Sequence, residues 1–397
     1  MNICVVTSTF PANKQDVMRA PFLAPLVEHL QRSGHRVFVL TQEGSGPTED
    51  VFPGVVVDRF RWRRLEGNLA ELSLRTPGNV LAAMSLIFAG MSAARRVSVE
   101  RQIDLFLGLW VVPAGLYLYP LKVLGLLGRP YFIWALGSDI NKYKDNPAAR
   151  FLLRRILRGA SAVFAAGIEL AKDVEKIGGV RCEFLPAFRK LPEPDTLLKP
   201  VAQLPTFAYV GRHTKVKGID VLLGAVELLR SRGVTGFHLR VASEGELTPS
   251  LKDRVQREGL TSLITFTGKL SDEALRDLYL MSDCVVIPSR SEGFPLVFGE
   301  ALQMGRPLIV TDVAGMGAMG RQHGVARAVR KENPAALADA MAEFIERPFA
   351  PNEKGRKALL ELLAFENSAK TLLDRIARHQ SEAPRQFPPP DLRKSQT

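Results

Sequence analysis

A chain of 397 residues is long enough for two domains of ordinary size, and its 46% hydrophobic content is that of a globular protein with buried sheets. Cys4, Cys182 and Cys284 are odd in number, far apart and set in apolar runs, which argues against a disulfide framework or a zinc cluster and for reduced thiols in a cytoplasmic protein. The net charge of +12 is concentrated early: residues 1–190 hold 25 basic and 16 acidic side chains, the remainder 28 and 25.

The chain opens on a strand, Ile3–Thr7, so no secretory leader is expected. Further strands are predicted at Val37–Leu40, Val55–Arg59, Leu105–Leu109, Tyr131–Trp134, Ala162–Ala165 and Glu183–Leu185. Helical stretches at Pro21–Arg32, Asn79–Ala94, Pro147–Leu157 and Glu169–Ile177 separate most of them. This alternation predicts a parallel sheet covered on both faces. No membrane-spanning helix is expected: Leu105–Leu121 is broken by Gly108, Pro113 and Pro120, and Val80–Ala94 reads as a short buried helix. A proline-rich segment, Pro186–Pro205, reads as a linker. A second alternating set follows at Phe207–Val210, His238–Ala242, Leu263–Phe266, Cys284–Ile287, Leu308–Val310 and Val325–Val329. Two helices, Glu353–Ala364 and Asn367–His379, close the folded part, and Ser381–Thr397, with three consecutive prolines, is expected to be disordered.

The most informative stretch runs from Ser289 to Ile309. The strand Cys284–Ile287 ends at Pro288, the chain passes through Glu292-Gly293-Phe294-Pro295, and helix-forming residues then run to Gly305. Such a turn leaves first-turn N–H groups, here around Phe294 to Val297, free to hold an anion such as a diphosphate. Glu292 and Glu300 flank those donors, and carboxylates are suited to grip sugar hydroxyls. A second segment, Gly211-Arg212-His213-Thr214-Lys215-Val216-Lys217-Gly218, joins a strand to a helix and is rich in cations. A departing nucleoside diphosphate needs cationic or metal stabilisation, and no clear metal cluster is visible in the sequence. An ordinary βα crossover and a basic loop on a basic protein are the plainer readings of these two segments.

Together they resemble the E-x7-E signature and the basic loop of the family 4 retaining glycosyltransferases. The resemblance implies the α/β GT-B fold, two Rossmann-like domains facing across a cleft. It implies an acceptor-binding domain over 1–188, a donor domain over 189–365, a terminal helix over 366–380 returning to the first domain, and a tail over 381–397. It implies a nucleotide-diphosphate sugar as co-substrate, with no cofactor and no metal, and a glycan or lipid-linked acceptor. Glu292 would hold sugar hydroxyls, Glu300 the ribose, and Arg212 and Lys217 the diphosphate. Gly293, Phe294, Pro295, Leu296 and Val297 would line the donor. Gly211, Glu244, Lys269 and Leu270 are weaker donor-side candidates.

Departures from the family pattern lie in the first half. Ser33-Gly34-His35-Arg36-Val37 matches the family's entry to the second strand. Leu136-Gly137-Ser138-Asp139, however, stands where the family has a histidine before Gly-Ser-Asp, and a leucine can neither donate a hydrogen bond nor move a proton. Trp110 follows leucine, not histidine, and Arg19-Ala20-Pro21-Phe22 replaces a di-glycine loop. Asp139 is the polar candidate on this wall, as a site residue or as a helix cap. A dehydrogenase is disfavoured because the segment after Ile3–Thr7 contains no glycine. Three readings stay open: an active transferase in bacterial polysaccharide or glycolipid assembly, a nucleotide-sugar-binding relative that transfers poorly, and another GT-B enzyme such as an epimerase or phosphorylase. Two basic clusters, Arg59–Arg64 and Arg150, Arg154, Arg155 and Arg158, suit an anionic partner. With no nucleic-acid module, the inner face of the cell membrane ranks above nucleic acid, and a solvated face is the alternative.

Overall fold

The computed structural model describes residues 1–11, 20–43, 52–63, 76–193 and 204–382. Arg19, Arg64, linker residues 194–203 and the tail from 383 onward lie outside the described residues.

In chain order the first half comprises β1 (Asn2–Thr7), α1 (Leu23–Arg32), β2 (Arg36–Gln42), β3 (Val56–Phe60), α2 (Pro77–Glu100), β4 (Leu105–Leu109) and α3 (Gly115–Val123). It continues with β5 (Tyr131–Ala135), α4 (Ser138–Asn141), α5 (Pro147–Gly159), β6 (Ala162–Ala165), α6 (Ile168–Gly178) and β7 (Glu183–Phe184). The seven strands form one parallel sheet in the order β3-β2-β1-β4-β5-β6-β7. Apolar residues on both sides of the central strands demand cover on both faces. Leu86, Leu118, Ile156 and Val174 of α2, α3, α5 and α6 share one core with Ile133 of the sheet. Leu26 of α1 packs in a separate core with Phe132 and Phe164. Helix starts follow local chemistry: Thr76 and Asn146 each accept from a first-turn N–H, with proline next in sequence.

The second half comprises β8 (Thr206–Val210), α7 (Ile219–Ser231), β9 (His238–Ala242), α8 (Thr248–Arg257), β10 (Ile264–Gly268), α9 (Asp272–Leu280) and β11 (Cys284–Ile287). Then follow α10 (Leu296–Gln303), β12 (Leu308–Thr311), α11 (Met316–Gln322), β13 (Ala326–Val329), α12 (Pro334–Glu346), α13 (Glu353–Leu363) and α14 (Phe365–Glu382). Its six strands form a second parallel sheet, β10-β9-β8-β11-β12-β13. The chain is thus two parallel α/β domains. Helix α14 leaves the second domain and packs on the first: Leu372 and Ile376 join the core of α1, and Ser368 Oγ donates to the Pro186 carbonyl at 3.0 Å.

One expectation is corrected. Val80–Ala94 is part of the 24-residue α2, which is long and apolar enough, by length and composition, to cross a membrane. Only one side of it is buried, through Ala82, Leu86, Gly90, Ala93, Ala94 and Val97, while Leu81, Met84 and Phe88 face solvent. Composition shows that a helix is apolar but not which of its sides the fold leaves uncovered.

In each sheet the strand order reverses direction, between β1 and β4 and between β8 and β11. Loops at such switch points diverge and leave a crevice at the strands' carboxyl ends. The two cation- and carboxylate-bearing segments singled out in the sequence are the loops after β8 and β11.

Candidate active site

The loop after β11 runs from Pro288 to Pro295, and Pro295 occupies the cap position of α10 without a side-chain acceptor for the first N–H groups. The loop after β8 forms a short turn, Lys215–Lys217, ended by Gly218 at φ +68°. A side chain at Gly218 would collide with the Pro288 carbonyl, so the two loops pack backbone to backbone. This contact delivers Lys217 to Glu292: Lys217 Nζ lies 2.7 and 2.8 Å from the two carboxylate oxygens. Ser289 Oγ also donates to Glu292, at 2.7 Å. Arg290 fixes the pair of loops from the outside, holding Asp220 at 2.7 and 2.9 Å and donating from its backbone to the Val216 carbonyl. Arg212, by contrast, is exposed, and its carbonyl accepts from Tyr209 Oη at 3.2 Å.

Glu300 sits elsewhere. It lies on the buried side of α10, 2% exposed, with Tyr279 Oη donating to one oxygen at 2.7 Å and Arg189 Nη1 lying 3.4 Å from the other. Burial pushes its carboxyl up, and Arg189 and Tyr279 oppose that shift. Burial likewise works against the charge of Arg189, but Glu300 and Asp272 outweigh it and hold the guanidinium pKa above its usual value. Asp272 pairs directly with Arg189 as well. The two glutamates thus have different surroundings: Glu292 is nearly buried between the two loops, and Glu300 belongs to an internal network tied to the linker.

The opposite wall meets these loops through glycines. A Cβ at Gly293 would collide with the Leu136 carbonyl, one at Gly137 would lie 2.5 Å from the Gly293 Cα, and one at Gly167 would collide with the Gly293 carbonyl. Asn141 Nδ2 donates across the cleft to the Glu292 carbonyl at 2.9 Å. Leu136 is half-buried and, with Trp110 and Leu296, packs against the core of the first domain. Asp139 is buried. It accepts N–H bonds from Val111 at 2.5 Å, Gly137 at 2.8 Å and Leu136 at 3.3 Å. Burial raises its carboxyl to about 6, against the pull of those N–H donors. Both oxygens are thus committed to backbone. Asp139 clamps the turn at Trp110, which has φ +62°, to the turn at Gly137, which has φ +118°.

Of the weaker candidates, Glu244 and Lys269 pair with each other at 3.8 Å on an exposed edge. Gly211 and the Glu244 turn adjoin: the Glu244 carbonyl accepts from the His213 N–H at 3.2 Å, and the Ala242 carbonyl faces the Gly211 N–H at 3.5 Å. Leu270 packs against the second domain's core, and Phe294 stacks edge-on with Phe298 at 5.3 Å. Sequence reasoning missed Ser289, Arg290, Arg189, Tyr279 and Asn141. Ser289 and Arg290 stood inside the quoted motif; the others come from distant segments.

Comparison with known proteins gives the family and the fold. The pattern of the family described as Glycosyl transferases group 1 matches residues 204–347, and that described as Glycosyl transferase 4-like domain matches residues 20–187. A putative teichuronic acid biosynthesis glycosyltransferase, TuaC, of Bacillus subtilis is 29% identical over 226 residues, covering 54% of this chain and 55% of that protein. A D-inositol 3-phosphate glycosyltransferase of Rhodococcus erythropolis is 32% identical over 175 residues, covering 42% and 39%. The chain thus spans about half the length, or less, of these relatives. Among solved structures, sucrose-phosphate synthase from Thermosynechococcus elongatus superposes with a TM-score of 0.74 at 18% identity, over 96% of this chain and 100% of that one. Anabaena HepE in complex with UDP gives 0.68 at 15%, over 96% and 100%. With the two patterns matching successive parts of both domains and the fold shared across whole chains, the chain belongs to the group 1 glycosyltransferases of GT-B fold, with a 4-like N-terminal domain.

Proposed function

We propose that the chain is a retaining glycosyltransferase that moves a sugar from a nucleoside-diphosphate donor to a glycan or lipid-linked acceptor in bacterial polysaccharide or glycolipid assembly. One observation carries the reading: Lys217 holds both oxygens of Glu292 where the switch-point loops meet the opposite wall. Both members of the pair can change partners. A diphosphate takes Lys217 and the exposed Arg212, and Glu292, relieved of its cation, accepts from sugar hydroxyls instead. The N–H groups at the start of α10 add donors toward the phosphates. A relative named for teichuronic acid biosynthesis supports the acceptor class, and a GT-B neighbour holding UDP supports the donor class.

In this mechanism the bond from the sugar's anomeric carbon to the phosphate oxygen breaks. The acceptor oxygen bonds on the same face, and the leaving phosphate oxygen takes the acceptor's proton. The protein's work is positioning and charge stabilisation, so an apolar Leu136 is compatible with turnover. No metal or other cofactor enters the proposal. Glu300, through Tyr279 and Arg189, fixes the base of α10, with ribose contact requiring Arg189 to shift. Asp139 acts as a positioning residue for the Leu136–Gly137 turn.

Donor turnover over a panel of nucleotide sugars tests the reading. Wild type is expected to turn over at least one donor, and Glu292→Ala to lose about a hundredfold or more, as when a group that positions the reacting sugar is removed. Equal turnover by the two proteins overturns it. The apolar wall at Leu136 favours a second reading, a binding protein with poor transfer, whose mark is tight donor binding without turnover.

A further inference from the structure

The solvent side of the first domain's helical layer is apolar and basic at once. Helices α2, α3 and α5 share one core on one face of the first sheet and pack side by side, α2 on α3 and α3 on α5. Their outward sides therefore look the same way. On α2 that side carries Leu81, Met84 and Phe88 at helical spacing, with Phe88 62% exposed. At the end of α3 and in the loop after it come Val123, Leu124 and Leu126, and on α5 Phe151 and Leu152. Among the described residues, ten of the fifteen exposed large hydrophobic side chains lie on these helices and the loop after α3. A concentration of that kind marks an interaction surface.

Charge says what kind. Residues 77–100, 115–130 and 147–159 hold eight basic side chains and one acidic, Glu100. Arg150, Arg154, Arg155 and Arg158 are all exposed on α5, and the Arg155 guanidinium lies 5.1 Å from the centre of the Phe151 ring. Between α3 and α5 opens a groove of about 560 Å³, lined by Tyr119, Phe151, Arg154, Arg155, Arg158 and Gly159. Lys122 reaches its edge and donates to the Gly159 carbonyl at 2.8 Å. At the other border the first basic cluster meets α2, because the Arg63 N–H donates to Ser85 Oγ at 2.9 Å and Trp62 packs on the same core. Two basic clusters from separate parts of the sequence thus flank one apolar strip.

We infer that this face docks on an anionic lipid bilayer, with the apolar side chains of α2 and α5 at the acyl boundary and a lipid phosphate in the arginine-lined groove. Interfacial helices combine these features: apolar residues that enter the headgroup region beside cations that select negative lipid. Helix α2 lies along the bilayer and does not cross it, since Leu86, Ala94 and Val97 are held in the core. The inference does not rest on the transfer reaction, and its test uses neither donor nor acceptor.

The full chain is sedimented with vesicles of phosphatidylcholine alone and with vesicles in which a third of the lipid is phosphatidylglycerol. Binding is expected to the anionic vesicles only. Each arginine replaced among Arg154→Gln, Arg155→Gln and Arg158→Gln is expected to weaken it about fivefold, the factor for one cation at the surface. Phe88→Asp with Phe151→Asp is expected to weaken it at least about tenfold through lost apolar burial. Arg327→Gln, on β13 of the other domain, is expected to bind as wild type. Circular dichroism and thermal melting, measured in parallel, report that each variant is folded. Wild type that ignores anionic vesicles, or binds neutral ones equally, overturns the inference. So do arginine variants that bind like wild type. A chain that is oligomeric in solution and becomes monomeric with the phenylalanine replacements also overturns it, because the face then covers a second copy.

Discussion

On the second domain's wall of the cleft, side chains hold side chains: Lys217 grips Glu292, Arg290 grips Asp220, and Arg189 with Tyr279 grips Glu300. On the facing wall, backbone does the holding. Asp139 collects three N–H groups, Gly137 and Gly167 meet Gly293 without side chains between, and Leu136 offers carbon. The difference bears on what a ligand can do at each wall. Ion pairs between side chains can be exchanged for pairs with a charged ligand. Backbone contacts cannot be exchanged, and they set the shape into which the ligand must fit. One wall can exchange partners; the other is a template.

The template wall can be broken with one methyl group. Gly293 needs no left-handed φ, so Gly293→Ala leaves its own loop unstrained and meets trouble at the Leu136 carbonyl and the Gly137 Cα across the cleft. Turnover is expected to fall about a hundredfold, the size of effect that a displacement near 1 Å produces, with nucleoside-diphosphate affinity kept. Small-angle scattering should show a more open particle. Full turnover in this variant would mean that the closed contact is not part of the productive state.

The exchangeable wall is sharpened by Lys217→Ala and Arg212→Ala. Each is expected to weaken nucleoside-diphosphate binding by about 1.5–3 kcal/mol, the size of a charge-assisted hydrogen bond, and to leave binding of the bare nucleoside unchanged. Calorimetry giving equal losses for both ligands would assign these residues to the fold. The two should also differ from each other. Removing Lys217 strands the nearly buried Glu292 and costs stability, whereas removing the exposed Arg212 does not.

Asp139 gives the template wall a pH signature. Burial raises its carboxyl from 3.8 to about 6, so between those values the folded chain holds a proton that the unfolded chain has released. This group's contribution to stability is therefore greatest at the acid end and falls as pH rises through the window, by at most about 1.4 kcal/mol per pH unit. Denaturation midpoints of wild type and Asp139→Asn at pH 4.5 and 7 should show that slope in wild type alone. Parallel slopes would place the titration elsewhere.

Much of this was legible in the sequence where the chemistry is contiguous. The segments Ser289–Gly305 and Gly211–Gly218 each carry donors, cations and carboxylates within one loop, and the strand–helix alternation fixed both sheets. What could not be read is long-range. Arg189 reaches Glu300 over 111 residues and Asp272 over 83, and it comes from a segment whose prolines said only that it was a linker. Asn141 meets the Glu292 carbonyl over 151 residues, through a backbone atom that no side-chain pattern reveals. The outward side of α2 is the same kind of case, because period alone does not tell which side the sheet will cover.

Leu136 is where the comparison is most delicate, and the expected effect is smallest. It is half-buried with Trp110 and Leu296, one residue from the contact between the walls, and its N–H is held by Asp139. A histidine there brings two ring nitrogens into a corner with apolar neighbours, where a polar group without a partner is penalised. If positioning and the leaving phosphate supply the chemistry, Leu136→His gains nothing and lowers turnover by about tenfold or less, the size of a polar-group penalty of about 1 kcal/mol in an apolar corner. The measurement compares wild type and Leu136→His on the same donor panel, with Glu292→Ala as the inactive reference. Wild-type turnover that Glu292→Ala abolishes and Leu136→His does not improve supports a histidine-free site. Turnover that arises only in Leu136→His would show that the template wall had lost its catalytic group, and the chain would then be a donor-binding protein on a transferase fold.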